Sequence, residues 1–306
     1  MQIPIVEAET LDWAAGAFGS GAIVQNVRRL AGSTSSTLYA LDIVQHGVTH
    51  PCVLRFYDHT GYLSSEPDAP QHEAASLQTA RHAGLHAPEM IAFDPEGTRS
   101  GGVPKLLMTR LPGAVVLAPD RLGDWLHALA DALLPVHAVS ADHLPWRFHP
   151  YADVTVVSPP SWSRVPHLWK QAIAVAQGPP PPMPECFIHR DYHPNNVLWQ
   201  NGRISGIVDW PGGCRGTANA DIAWCRENLK YLYGVPAADT FLHAYEALAG
   251  AAFTYHPYWD LLALMECLPG PPGLYPPWAE FGIRHLTPEL LRERADDYLE
   301  SVLRRL

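Results

Sequence analysis

The pattern of apolar and polar positions divides the chain into a strand-rich first third and a helix-rich remainder. Val24 to Leu30 and Thr37 to Val44 are runs of β-favouring residues joined by the small polar stretch from Ala31 to Ser36. After a turn at Gly47, the run from Cys52 to Tyr57 alternates apolar side chains with Arg55 on the opposite face. A helix is expected from about Gln71 to His82, with Asp68 as cap, Pro70 in the first turn and Gly84 as the stop. Glu89 to Phe93 and Lys105 to Thr109 read as further strands, closed by the break at Pro112-Gly113. Beyond that break Leu122, Leu126, Leu129, Leu133 and Val136 recur at helical spacing, and Pro135 should kink or end the helix they form. A weakly patterned stretch from Asp142 to Val165 precedes a helix reaching Ala176. Two apolar runs then flank a polar loop between Cys186 and Trp199, and Asn201-Gly202 offers a hairpin turn into Arg203 to Val208. Helices fill the rest, the last opened by Thr287 as N-cap and Pro288 at the first helical position. These elements make an α+β protein.

Composition narrows the class. The chain has 306 residues, room for about two domains on a prior of roughly 150 residues each, and the pattern change places them at 1–110 and 111–306. With 47% hydrophobic and 17% charged residues it can fill sizeable cores. No apolar run nears the roughly 18 residues a membrane span requires, and the acidic N-terminus lacks the form of a signal peptide. A net charge of −10 argues against nucleic acid as a partner, because phosphate binding needs clustered Lys and Arg. The five scattered cysteines include no C-x-x-C pair, so reduced thiols and a cytoplasmic protein are expected. A small-molecule substrate and a monomer or weak dimer complete that expectation, with neither membrane nor nucleic acid involved.

Chemistry concentrates in one loop. His189-Arg190-Asp191 and Asn196 stand at the spacing H-R-D-x-x-x-x-N, and Asp209 ends a third apolar run. Phosphoryl transfer calls for one carboxylate to orient the attacking hydroxyl and an Asn/Asp pair to hold Mg²⁺ against the phosphates. A turn-capping aspartate is the duller reading of Asp191 taken alone, but His189, Asn196, Asp209 and Asp221 in register outweigh it. His189 and His193 have the i, i+4 spacing of a zinc pair, yet Pro194 and the flanking strands leave no helix to present both rings on one face.

With Asp209-Trp210 and Asp221-Ile222-Ala223 added, the chain resembles the aminoglycoside phosphotransferase and choline kinase family, from about Val24 to Leu229. That resemblance implies a protein-kinase-like two-lobed fold, an antiparallel-sheet N-terminal lobe and a mainly helical C-terminal lobe, with ATP or GTP as co-substrate. It implies Asp191 as the carboxylate that orients the acceptor hydroxyl, His189 and His193 as its companions in the catalytic loop, and Asn196 and Asp209 as ligands of Mg²⁺. Gly32, Ser33, Thr34 and Ser35 would cover the nucleotide phosphates, although an ordinary hairpin turn is the alternative. Arg55 stands where kinases carry the phosphate-gripping lysine, with Glu73 as its ion-pair partner, although a solvated Arg55 on an edge strand is the alternative. Met108, Thr109 and Arg110 fall at the inter-lobe hinge that meets adenine.

The acceptor is less legible. Acids such as Asp239, Glu246, Asp260 and Glu266 alternate with aromatic residues after Asn219, which suits an antibiotic pocket and equally a packed core. An aminoglycoside or macrolide is the favoured acceptor. A metabolic kinase acting on choline, an amino alcohol or a sugar is the runner-up, and a non-catalytic nucleotide-binding module stands further off.

Overall fold

The computed structural model describes residues 6–30, 33, 35–98, 102–151, 153–268 and 270–306, and these form two compact units. The first comprises Met1–Pro112 with Ser205–Gly212, the second Gly113–Ile204 with Gly213–Leu306.

In the first unit, α1 (Ala8–Gly16) leads into β1 (Ile23–Arg29), β2 (Thr37–Gln45) and β3 (Val48–Phe56). Then come α2 (Thr60–Ser65), α3 (Ala69–His82), β4 (Met90–Asp94) and β5 (Lys105–Thr109). The sheet order is β1-β2-β3-β5-β4, and every pairing is antiparallel. Alternation does the sorting. Tyr39, Leu41 and Ile43 of β2 join Cys52 and Leu54 of β3 in one core cluster with Ala14 of α1. Arg55 has the opposite parity and meets α3 on the other face. Lys105 is fully buried against Asp94 at 3.1 Å, with its ammonium over the Trp13 ring.

Several local expectations hold. Gly84 follows the end of α3 with φ +69°, a conformation glycine adopts without strain. The Asp68 side chain makes no cap bond; its backbone carbonyl accepts from His72 instead. Neither α1 nor α2 is foreseen by the periodicity, being nine and six residues long.

The second unit begins with β6 (Ala114–Val115) and α4 (Leu122–His137), which ends two residues after Pro135. It continues through α5 (Pro166–Ala176), β7 (Cys186–Ile188), β8 (Val197–Gln200) and β9 (Arg203–Ile207), where the chain passes back into the first unit. Asn201 and Gly202 link β8 and β9 with φ of +52° and +74°, the paired left-handed conformation of a tight hairpin. After β10 (Cys214–Gly216), which pairs with β7, come α6 (Ala218–Tyr233), α7 (Val235–Ala249) and α8 (Tyr258–Met265). The short α9 (Pro277–Glu280) and α10 (Pro288–Leu303) complete the chain. Thr287 caps α10 as expected, accepting from the Leu290 amide at 3.2 Å. A cluster of Ile188, Cys214, Ala220, Ala223, Trp259 and Leu262 forms the core under β7. Among the described residues no helix is long and apolar enough to cross a membrane.

Candidate functional site

The His-Arg-Asp loop leaves β7 and is pinned at its backbone. Asp221, fully buried in the first turn of α6, accepts the amide hydrogens of His189 at 2.7 Å and Arg190 at 2.6 Å. His137 from the end of α4 closes on the same carboxylate at 3.1 Å, its other ring nitrogen 2.7 Å from the Tyr245 hydroxyl. The Thr217 side chain caps α6, accepting from the Asn219 amide. Tyr192 ties the loop to α4 by donating its buried hydroxyl to the Leu129 carbonyl. Arg190 takes φ +68°, an uncommon conformation for a residue with a Cβ, and its side chain is fixed by the His149 carbonyl and the Tyr151 ring.

Those anchors present Asp191. Its Oδ1 accepts the Trp224 indole N–H at 2.7 Å, and the Asn196 amide N–H reaches its Oδ2 at 3.2 Å and its backbone carbonyl at 2.9 Å. His193 places Nε2 3.7 Å from Oδ1, beyond hydrogen-bond length, so the indole rather than the imidazole holds the carboxylate. His189 is buried, edge-on to the Tyr192 ring.

The first unit assembles the other motif residues. Arg55 is only 4% exposed, which overturns the reading of a solvated edge-strand side chain. Its two terminal nitrogens divide between Glu73 at 3.1 Å and Asp209 at 2.7 Å. Burial opposes the guanidinium charge, but Glu73 and Asp209 outweigh it and hold the group above its ordinary range. Burial raises Glu73, only partly countered by Arg55 and by hydrogen bonds from Tyr57 and the Trp210 backbone. Asp209 sits at φ +70° with its side chain a third exposed, and the segment carrying it is fixed by the Ile207 amide donating to the His86 carbonyl at 2.8 Å.

The remaining nucleotide-side residues are less decisive. Gly32 and Thr34 lie outside the described residues. Ser33 and Ser35 lie in the β1–β2 connection, where the hydroxyls of Ser33 and Ser36 are 3.1 Å apart. Met108 is buried in β5. The amides of Thr109 and Arg110 already donate to the Glu89 and Pro51 carbonyls, and the Arg110 side chain pairs with Asp42. Sequence reasoning missed Trp224, His137 and Tyr57. Trp224 had a signal: it stands three residues after Asp221, on a neighbouring helical position.

A family model described as the phosphotransferase enzyme family matches residues 26–264. The chain belongs to that family. Among curated relatives, homoserine kinases of Bradyrhizobium sp. strain BTAi1 and Phenylobacterium zucineum strain HLK1 are each 34% identical, over 76 and 74 residues. Those matches span 23% of each relative's length. Among solved structures, a thermostable mutant of the aminoglycoside phosphotransferase APH(4)-Ia aligns with TM-score 0.60 and 17% identity, over 97% of this chain and 99% of that one. The choline kinase LicA from Streptococcus pneumoniae aligns with TM-score 0.60 and 16% identity, over 96% and 98%. The phosphotransferase family fold is thus shared with enzymes named for antibiotic and for metabolic acceptors alike.

Proposed function

We propose that the protein transfers the γ-phosphoryl group of ATP to a hydroxyl of a small amine-bearing metabolite, an amino alcohol or hydroxy amino acid. The observation that carries the reaction type is Asp191, a carboxylate gripped on both oxygens by N–H donors on a loop whose backbone is itself anchored. Such a group accepts a hydrogen bond from the acceptor hydroxyl and aims its oxygen at phosphorus, the service a loose transition state most needs. GTP in place of ATP leaves the roles of these residues unchanged.

The residues fit magnesium. Asn196 spends its amide N–H groups on Asp191, so its Oδ1 is the end left to face a cation, and Asp209 offers a partly exposed carboxylate. One or two such oxygens with substrate phosphates suit Mg²⁺, which retains waters and seldom takes an all-protein cage. Mg²⁺ would supply neutralisation of the nucleotide's phosphate charge. Arg55, steadied by Glu73, meets the nucleotide side, and Asp191 takes up the hydroxyl proton late in the transfer. A nucleobase would meet backbone donors beyond Arg110, because those of Thr109 and Arg110 are spent in the sheet.

We favour the metabolic acceptor over the antibiotic one because the curated relatives at 33–34% identity are homoserine kinases, the first of them matched over 76 residues. The likeness to APH(4)-Ia is at the level of fold. An ADP-release screen of L-homoserine, choline, ethanolamine, hygromycin B and a macrolide tests the reading. Turnover with an amino alcohol or hydroxy amino acid is expected, and Asp191→Ala should abolish it while MgATP affinity persists. Turnover confined to the antibiotics would overturn the acceptor class, and MgATP binding with no turnover across the panel would overturn the activity.

A further inference from the structure

One helix, α6, carries two side chains that act on the catalytic loop three residues apart. Asp221 in its first turn receives the backbone of His189 and Arg190, and Trp224 donates to the side chain of Asp191. Residues at i and i+3 are neighbours on a helix surface, so a single rigid element sets both where the loop runs and how its carboxylate is turned. The indole is steadied in turn. Tyr151 packs on it with ring centroids 5.9 Å apart, and the Arg190 guanidinium stacks on Tyr151 at 4.0 Å. Asn228, one turn further along α6, donates to the Trp224 carbonyl at 3.0 Å.

We propose that Trp224 is a positioning residue for phosphoryl transfer, its indole N–H fixing the rotation of the Asp191 carboxylate. The inference rests on the reading of Asp191 as the group that orients the acceptor hydroxyl. Two features single out the N–H rather than the bulk of the ring. The 2.7 Å length is that of a charge-assisted bond, which is stronger than a neutral one. The His193 ring, also near that oxygen, lies too far away at 3.7 Å. A carboxylate relieved of such a donor gains freedom about its terminal torsion.

Two measurements test this, the first needing no acceptor. In the native protein the indole N–H resonance of Trp224, assigned by its disappearance in Trp224→Phe, should lie downfield and move markedly in Asp191→Asn. A resonance indifferent to Asp191→Asn would overturn the proposal. The second uses MgATP with L-homoserine, or whichever acceptor the ADP-release screen returns. Trp224→Phe should lower kcat roughly ten- to a hundredfold, the range for one hydrogen bond to a charged group. MgATP affinity should change less than about twofold, so that the loss falls on kcat. Native kcat in folded Trp224→Phe would also overturn the proposal. Asp191→Asn separates the two readings: if it turns over normally, the role of Asp191 fails, whereas a dead Asp191→Asn beside a native-like Trp224→Phe refutes only Trp224.

Discussion

At the scale of single residues, Arg55 shows what a buried charge demands. Its fork serves two carboxylates at once, with one terminal nitrogen on Glu73 and the other on Asp209. A lysine has one compact ammonium and cannot keep that geometry. Arg55→Lys should therefore cost about 1–3 kcal/mol of unfolding free energy, read from denaturant midpoints, as one of the two bonds is lost. Arg55→Met should cost more, about 3–5 kcal/mol, because Glu73 is left buried and charged without its cation. Both variants should weaken MgATP binding in calorimetry, and unchanged affinity in Arg55→Lys would remove Arg55 from the nucleotide side. The sequence located Arg55 by its place in the third strand, but it could not report burial. Alternation said only which face the side chain shares, and the covering α3 made that face an interior.

Among elements, legibility followed length and punctuation. Strands with apolar alternation, the hairpin at Asn201-Gly202 and the Thr287-capped helix were all readable, because each has a local physical cause. Helix α1 was not, since its nine residues have no side-chain cap bond and its helicity is settled by docking Ala14 onto the sheet. The site divides in the same way. Asp191, Asn196 and Asp209 announce themselves by spacing, whereas Trp224 and His137 act through contacts from distant elements. Asp221 joins the two cases: visible as a motif, yet working by accepting two backbone amides. In Asp221→Asn one amide hydrogen would face an NH₂ group, leaving a buried donor unmet. A loss of about 1–3 kcal/mol in stability, with a fall in kcat larger than any change in MgATP affinity, is the expected result. Gly206 in β9 makes a comparable test of packing. A Cβ there would lie 2.8 Å from the His86 carbonyl oxygen, so Gly206→Ala should lower the melting temperature by displacing the strand that leads to Asp209.

Over the whole molecule, thiols in both units are wholly or partly buried, and this sets an alkaline limit on stability. All five cysteines are free, and burial is the first cause of the raised thiol values. Cys52 in the first unit is pushed up to about 11, and Cys186 and Cys267 in the second to about 12, from an ordinary 9.0. A folded value above the unfolded one means the native state keeps its proton longer. The stability involved is intact below pH 9.0 and is lost as pH rises through the folded values. Each such thiol should steepen the decline by up to about 1.4 kcal/mol per pH unit between those limits. Urea midpoints of the native protein should hardly change between pH 7 and 8.5, then fall steeply toward pH 10.5 in the presence of reductant. Cys52→Ala supplies the control, since its cost should be a nearly constant offset below pH 8.5 and should shrink above it. An offset that stayed constant up to pH 10.5 would show that Cys52 ionises alike in the folded and unfolded chains, and that its burial in the sheet core carries no proton linkage.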